Sequence, residues 1–287
     1  MLDGTALRAM GTDSISNLLQ LRVAEIRSLV ESTTTSPAFD IGTVSLLPPV
    51  DGLTEVWASG VTYKRSRDAR VEESVVQDVY DRVYGATRPE LFFKSAAWRV
   101  VSDGSPVAIR IDSLLNVPEP ELVLILNCHA EIVGYAVGND MSSRSIEGEN
   151  PLYLPQAKIY NGAFALSSGI RPAWELGGPA GLDRQLMIKM DVTRDGVGVW
   201  RGETTTGSFT RRFAELVEHL FRCYTLPDGA LLSTGTGIVP GLDFTTLPGD
   251  VVSIEIPEVG TLMNCVTTAG GQTQSDGDLV PFANAKK

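Results

Sequence analysis

An α+β fold that is mainly β, built as a rolled or sandwiched sheet behind a small N-terminal domain, is what the 287-residue chain predicts. Three observations carry this. Short runs of β-branched and aliphatic residues recur along the chain, stretches with helical spacing are few, and 28 glycines and 16 prolines break the runs into turns. Residues 1–54 form the small N-terminal domain and its connection, and 55–287 the larger domain.

Ser14 to Ser32 places Ile15, Leu18, Leu19, Val23, Ile26, Leu29 and Val30 at helical spacing behind a Ser14 N-cap, so one amphipathic helix is expected. Thr33 to Asp51 is rich in Thr, Ser and Pro and reads as a connection. Glu55 to Val61 has the letters of a short buried strand, followed by a basic loop from Lys64 to Arg70 and a helix from Glu72 to Tyr84. Arg88-Pro89 stops that helix. Glu90 to Lys94 then gives a strand with Glu90, Phe92 and Lys94 on one face. Over four residues at roughly 3.3 Å each the two charges stand about 13 Å apart, so they either bracket a ligand or decorate a sheet edge.

The central stretch is Pro118 to Asn127, then a turn, then Ile132 to Asp140, and it predicts a β-hairpin. With His129-Ala130 as a two-residue loop, Leu126 pairs with Val133, Glu121 with Gly138 and Glu119 with Asp140. Side chains alternate along strands and opposed residues share a face, so Glu119, Glu121 and Asp140 gather at one end. Three clustered carboxylates call for a positive partner, and a hard divalent cation such as Mg²⁺ is the simplest. A solvated strand end fits the same letters, while Gly134, Ala136 and Gly138 would leave room above an ion.

Met141 to Lys158 is too polar for a core strand and too rich in aromatics and prolines for a slack linker, so it reads as an ordered loop beside a site, with Lys158 its charge of interest. Leu186 to Val199 predicts a second hairpin about Asp195-Gly196, and Phe213 to Tyr224 a helix. Thr234-Gly235-Thr236 follows a short apolar run, where hydroxyls and backbone N–H groups suit either a carboxylate or a plain glycine turn. Strands from Val251 and from Gly260 close the sheet.

Composition removes several function classes. A net charge of −11 repels a nucleic-acid backbone. No apolar run approaches the roughly eighteen residues of a membrane span. The Met1-Leu2-Asp3-Gly4 start lacks the pattern of a secretory signal, so a cytoplasmic location is expected. Cys128, Cys223 and Cys265 form no close pair and are expected to be buried, inert thiols. With only His129 and His219 in the chain, one in a turn and one in a helix, histidine triads and zinc centres are not supported.

Several blocks now fall into one order: Pro89-Glu90-Leu91-Phe92-Phe93-Lys94, Glu119-Pro120-Glu121-Leu122, Gly134 through Arg144, Lys158, Thr234-Gly235-Thr236, Pro248-Gly249-Asp250 and Gly260 through Val266. From about Trp57 to Val266 the chain resembles the fumarylacetoacetate hydrolase family. The resemblance implies a mixed β-roll, a homodimer or higher homo-oligomer, and Mg²⁺ (or Mn²⁺) held by Glu119, Glu121 and Asp140. Hydrolases and decarboxylases of the family carry a histidine and a glutamate in a loop of the pattern Asn-Tyr-x-x-His-x-x-Glu. Ser66 and Ala69 stand at those positions here, which speaks against acylpyruvate hydrolysis and oxaloacetate decarboxylation. A non-catalytic 2-oxo-acid binding protein on the same fold is the rival of a different class.

Arg88-Pro89-Glu90, the string Glu149 to Tyr160 and the basic loop resemble the branch that dehydrates 2-keto-3-deoxy-D-arabinonate to 2,5-dioxopentanoate. By that resemblance Glu90 and Lys158 are the acid/base pair. Arg67, Phe92, Lys94, Thr234, Gly235 and Thr236 would contact the small 2-keto acid, and neither nucleic acid nor membrane is a partner. The D-arabinonate, L-arabinonate and D-xylonate derivatives all remain candidates at this point.

Overall fold

A computed structural model describes residues 2–3, 6–33, 36–65, 83–177, 182 and 184–269. In chain order the strands begin with β1 (Leu2–Asp3), β2 (Ala6–Arg8), β3 (Ala38–Asp40), β4 (Glu55–Gly60), β5 (Glu90–Ala96), β6 (Val101–Ser102), β7 (Val107–Arg110), β8 (Asn116–Val117) and β9 (Pro120–Leu126). They continue with β10 (Ile132–Asp140), β11 (Ser142–Ser143), β12 (Phe164–Leu166), β13 (Arg171–Pro172), β14 (Met187–Arg194), β15 (Val197–Thr205), β16 (Ala230–Ser233), β17 (Val251–Ile256) and β18 (Gly260–Ala269). The helices are α1 (Ile15–Leu19), α2 (Val23–Ser32), α3 (Arg144–Glu149), α4 (Leu154–Lys158) and α5 (Phe213–Phe221).

The main sheet runs β5-β4-β16-β9-β10-β12-β6 with β13 also on β10, and is mixed because β16 lies parallel to β4 and β12 parallel to β6. A second sheet, β15-β14-β17-β18-β7, packs on one of its faces. Alternation along β9 sorts the core. Leu122, Leu124 and Leu126 meet Ile188, Met190, Val252 and Ile254 of the second sheet, whereas Val123 and Ile125 meet Leu18, Leu19 and Ile26 of α1 and α2. Each such apolar side chain contributes about 1.5–3 kcal/mol by leaving water. The N-terminal helices therefore share a core with the main sheet.

The expected single helix over 14–32 is two. Ser14 does cap α1, accepting from the Asn17 N–H at 3.3 Å, but the chain breaks at residues 20–22. The break is held from outside: the Asn127 side chain donates to the Leu21 carbonyl, and the Glu131 carboxylate accepts from the Val23 N–H. Those bonds come from the hairpin turn, which local spacing cannot see. The connection over 33–51 contains β3, which extends the β1-β2 pair, and the stretch over 141–158 is largely helical (α3 and α4) where a loop was expected. Cys223 and Cys265 are exposed and Cys128 half-buried, contrary to the buried thiols expected. The helix expected over 72–84 lies outside the described residues except at 83–84.

The hairpin register is as derived from Ile125 onward, with Val123 opposite Ala136 and Glu121 opposite Gly138. Its turn differs. Leu126 pairs with Ile132 rather than Val133, the Asn127 N–H donates to the Glu131 carbonyl, and Ala130 is left-handed at φ 61°. A three-residue loop followed by an irregularity at Val133 thus arrives at the pairing expected of a two-residue loop. The glycines of β10 do not open space above an ion either. A Cβ on Gly138 would meet Val123 Cγ2 at 2.5 Å, and one on Gly134 the Arg171 carbonyl at 2.5 Å, so tight packing explains them.

Candidate active site

Glu119 precedes β9, Glu121 lies within it and Asp140 ends β10, and the Asp140 N–H donates to the Glu119 carbonyl at 2.9 Å. Period-two alternation then brings the three carboxylates onto one face, where an oxygen of each lies within 4.8 Å of the others. All three residues are buried. Burial, followed by the nearby charges of Asp140 and Glu119, pushes the Glu121 carboxyl up to about 8.

Among the described residues, three buried cations answer them. Lys158, at the end of α4, donates to Glu119 Oε2 at 2.8 Å, Asp140 Oδ2 at 3.1 Å and Ser142 Oγ at 2.6 Å. Lys94 pairs with Asp140 Oδ1 and donates to the Met141 carbonyl at 3.0 Å and the Lys158 carbonyl at 2.5 Å. Burial pulls its ammonium below the usual range, and Asp140 works in the opposite sense. Arg144 sits 3.7 Å from Glu119 Oε1. Glu121 is held differently, accepting from Ser233 Oγ at 2.6 Å and from the Gly235 N–H at 2.7 Å.

The donor set of three buried carboxylates, one of them driven toward its neutral form, fits a hard divalent cation such as Mg²⁺ or Mn²⁺. The small cavity beside it is lined by Ser59, Gly60, Val61, Glu90, Phe92, Arg144, Glu147, Lys158, Gly235, Thr236 and Val239 along with the three acids. Two backbone features shape its wall. Val61 is a β-branched residue at φ 52°, an uncommon conformation that turns the chain sharply after β4. Gly60 leaves room for Glu90, since a Cβ there would lie 2.2 Å from its Oε2.

Gly235 is constrained twice, by φ 91° and by a Cβ position only 2.1 Å from Thr62 Oγ1 and 2.7 Å from the Ser59 carbonyl. Gly235→Ala is expected to cost about 1–3 kcal/mol of stability and to weaken divalent-ion affinity by displacing the N–H on Glu121. Urea unfolding and an ion titration of the same variant would check both.

The expected site residues fall into three groups. Glu90, Phe92, Lys158, Gly235 and Thr236 line the cavity together with the acid trio. Lys94 and Thr234 do not. Lys94 is the extra residue at an irregularity where β5 pairs with β4, and its side chain is enclosed behind Asp140 instead of facing a substrate. The Thr234 hydroxyl donates to the Leu122 carbonyl at 2.8 Å, and the Gly235 N–H is taken up by Glu121, so this turn holds one of the three clustered acids where substrate contact was expected. Arg67 lies outside the described residues, as do Ser66 and Ala69. Reasoning from sequence passed over Ser59, Arg144 and Glu147. Arg144 and Glu147 are three apart and share one face of α3, a spacing that was legible once that stretch was known to be helical.

Residues 56–267 match the family model described as fumarylacetoacetate (FAA) hydrolase C-terminal. The chain belongs to this family. Among its relatives, this fumarylacetoacetate hydrolase family member is 46% identical over 220 residues to a probable 2-keto-3-deoxyxylonate dehydratase of Haloferax volcanii, covering 77% of this chain and 74% of that one. It is 36% identical over 277 residues to the 2-dehydro-3-deoxy-D-arabinonate dehydratase of Saccharolobus solfataricus, covering 93% and 91%. A solved structure of 2-keto-3-deoxy-D-arabinonate dehydratase in its apo form superposes with a TM-score of 0.79 at 33% identity over 94% of each chain. Another, complexed with magnesium and 2,5-dioxopentanoate, gives 0.78 at 33% identity over 93% of each. Among the described residues of this family member, no helix is long and apolar enough to cross a membrane.

Proposed function

We propose that the protein is a Mg²⁺-dependent hydro-lyase that converts a 2-keto-3-deoxy pentonate, 2-keto-3-deoxy-D-arabinonate, to 2,5-dioxopentanoate and water. The observation that carries this reading is the acid trio at the floor of a cavity whose walls present Glu90 and Lys158. The names of the two relatives point to one substrate. In a 2-keto-3-deoxy pentonate carbon 2 is a ketone and carbon 3 has no hydroxyl, so the D-xylonate and D-arabinonate derivatives are the same compound. The stereochemical question reduces to carbon 4.

Glu119, Glu121 and Asp140 would hold the ion, which when bound supplies a Lewis acid for a 2-oxo acid and so acidifies the protons on carbon 3. With its three donors on Glu119, Asp140 and Ser142, Lys158 is set as an ammonium beside the ligands, where it fixes their geometry and favours negative charge on the substrate's oxygen. Glu90, on another wall and packed against Gly60, is the group for proton transfer: it takes a proton from carbon 3 and returns it to the departing carbon-4 hydroxyl, which leaves as water. Phe92 gives that wall an apolar surface, its ring 5.8 Å from Lys158 Nζ.

A homo-oligomer is expected from the resemblance. Light scattering on the purified protein tests it. For the activity, turnover of 2-keto-3-deoxy-D-arabinonate followed by aldehyde detection is expected to vanish in excess EDTA and return with Mg²⁺ or Mn²⁺. Full activity in EDTA would remove the ion from the reaction, and no turnover of either carbon-4 epimer with Mg²⁺ present would remove the dehydratase reading.

A further inference from the structure

Resting on the dehydratase reading, we propose that Glu147 is a second catalytic carboxylate, which carries a proton from carbon 5 to carbon 3 after water has left. Loss of the carbon-3 proton and the carbon-4 hydroxyl yields 5-hydroxy-2-oxopent-3-enoate, which is an alcohol at carbon 5 and not yet an aldehyde. Reaching 2,5-dioxopentanoate requires removing one proton from carbon 5. That proton is acidic only now, as the far end of a conjugated ketone. A base takes it, the electron pair forms the carbon 4–carbon 5 double bond, and the existing double bond shifts toward carbon 2. Return of the proton to carbon 3 gives an enol, which becomes the aldehyde by moving its hydroxyl proton through solvent to carbon 4. Atoms balance with the single water already lost, and the base ends as it began.

The geometry points to Glu147 for this second transfer. Its carboxylate lines the same cavity as Glu90, yet it comes from α3 and not from the β5 wall, so the two can serve different carbons of one bound chain. Only 3% of Glu147 is exposed, so its side chain lies in the wall of the cavity and away from bulk water. The helix that presents it is pinned. Arg144 and Ser145 N–H groups both donate to the Leu115 carbonyl, at 2.8 and 3.4 Å, and the Ser145 and Ser113 hydroxyls bond at 2.9 Å. Arg144, three residues earlier on the same face, reaches Glu119, which ties the direction of Glu147 to the ion-binding acids.

Two measurements on the Mg²⁺-loaded enzyme test this. With Glu147→Gln, water loss from 2-keto-3-deoxy-D-arabinonate is expected to continue while aldehyde formation falls about 10²-fold or more, so that an ultraviolet-absorbing conjugated enoate accumulates. Aldehyde formation at the wild-type rate, or loss of both steps together, would overturn the proposal. Wild-type enzyme given substrate dideuterated at carbon 5 needs no variant. Loss of one deuterium from carbon 5 with none on carbon 4 is expected, and deuterium appearing on carbon 4 would show a direct hydride shift and sink the idea. If wild-type enzyme fails to turn over the substrate at all, the dehydratase reading itself falls, an outcome distinct from either result above.

Discussion

Glu90→Gln is expected to lower kcat on 2-keto-3-deoxy-D-arabinonate by about 10²- to 10⁴-fold, the usual worth of a positioned proton-transfer group. The amide keeps the shape that Gly60 accommodates and the Ser59 hydroxyl bond to the Glu90 carbonyl at 2.9 Å, so fold and cavity should persist. Glu90 is not among the three clustered acids proposed to hold the ion, so divalent-ion affinity by calorimetry should stay near that of the parent. A variant with normal turnover would take Glu90 out of the reaction, whereas one that also lost the ion would show its carboxylate to be a ligand.

Lys94→Met is expected to destabilise the protein by about 3–5 kcal/mol, because it removes one partner of a buried charge pair and leaves Asp140 short of a cation. Met nearly matches the Lys stem in volume, so the effect would come from charge and not from a cavity. Urea unfolding at neutral pH reads it directly. Excess Mg²⁺ should raise the midpoint of Lys94→Met more than that of the parent, since an ion bound only by the folded state stabilises it and Asp140 would be freer to bind one. An unchanged midpoint without Mg²⁺ would mean that Lys158 alone suffices to hold Asp140.

Much of this site was legible because strands make it so. Period-two alternation and one assumed turn brought Glu119, Glu121 and Asp140 to one face, and the pairing of Glu121 with Gly138 is as derived. What escaped depended on contacts between distant segments. Lys94 shares a strand with Glu90 and Phe92, but an irregularity against β4 encloses it behind Asp140, and nothing local to Leu91-Phe92-Phe93-Lys94 signals that. Thr234-Gly235-Thr236 was recognisable as a polar glycine turn. Its occupant, the Glu121 carboxylate, comes from 114 residues away. The division of the first helix likewise depends on Asn127 and Glu131, about a hundred residues downstream.

The turn between β9 and β10 has a consequence for how this hairpin can vary. Its three-residue loop and the irregularity at Val133 are two odd steps that cancel, and the cancellation keeps Asp140 in phase with Glu121. Inserting or deleting a single residue between Cys128 and Ala130 would leave the strands able to pair, since both faces of β10 are apolar and buried along most of its length. It would, however, carry Asn139 (on insertion) or Met141 (on deletion) into the position of Asp140, exchanging a carboxylate for an amide or a thioether while the sheet stays intact. A length change here is tolerable only with a second irregularity that restores the pairing of Glu121 with Gly138, so the placing of Asp140, more than folding, sets the length of the loop.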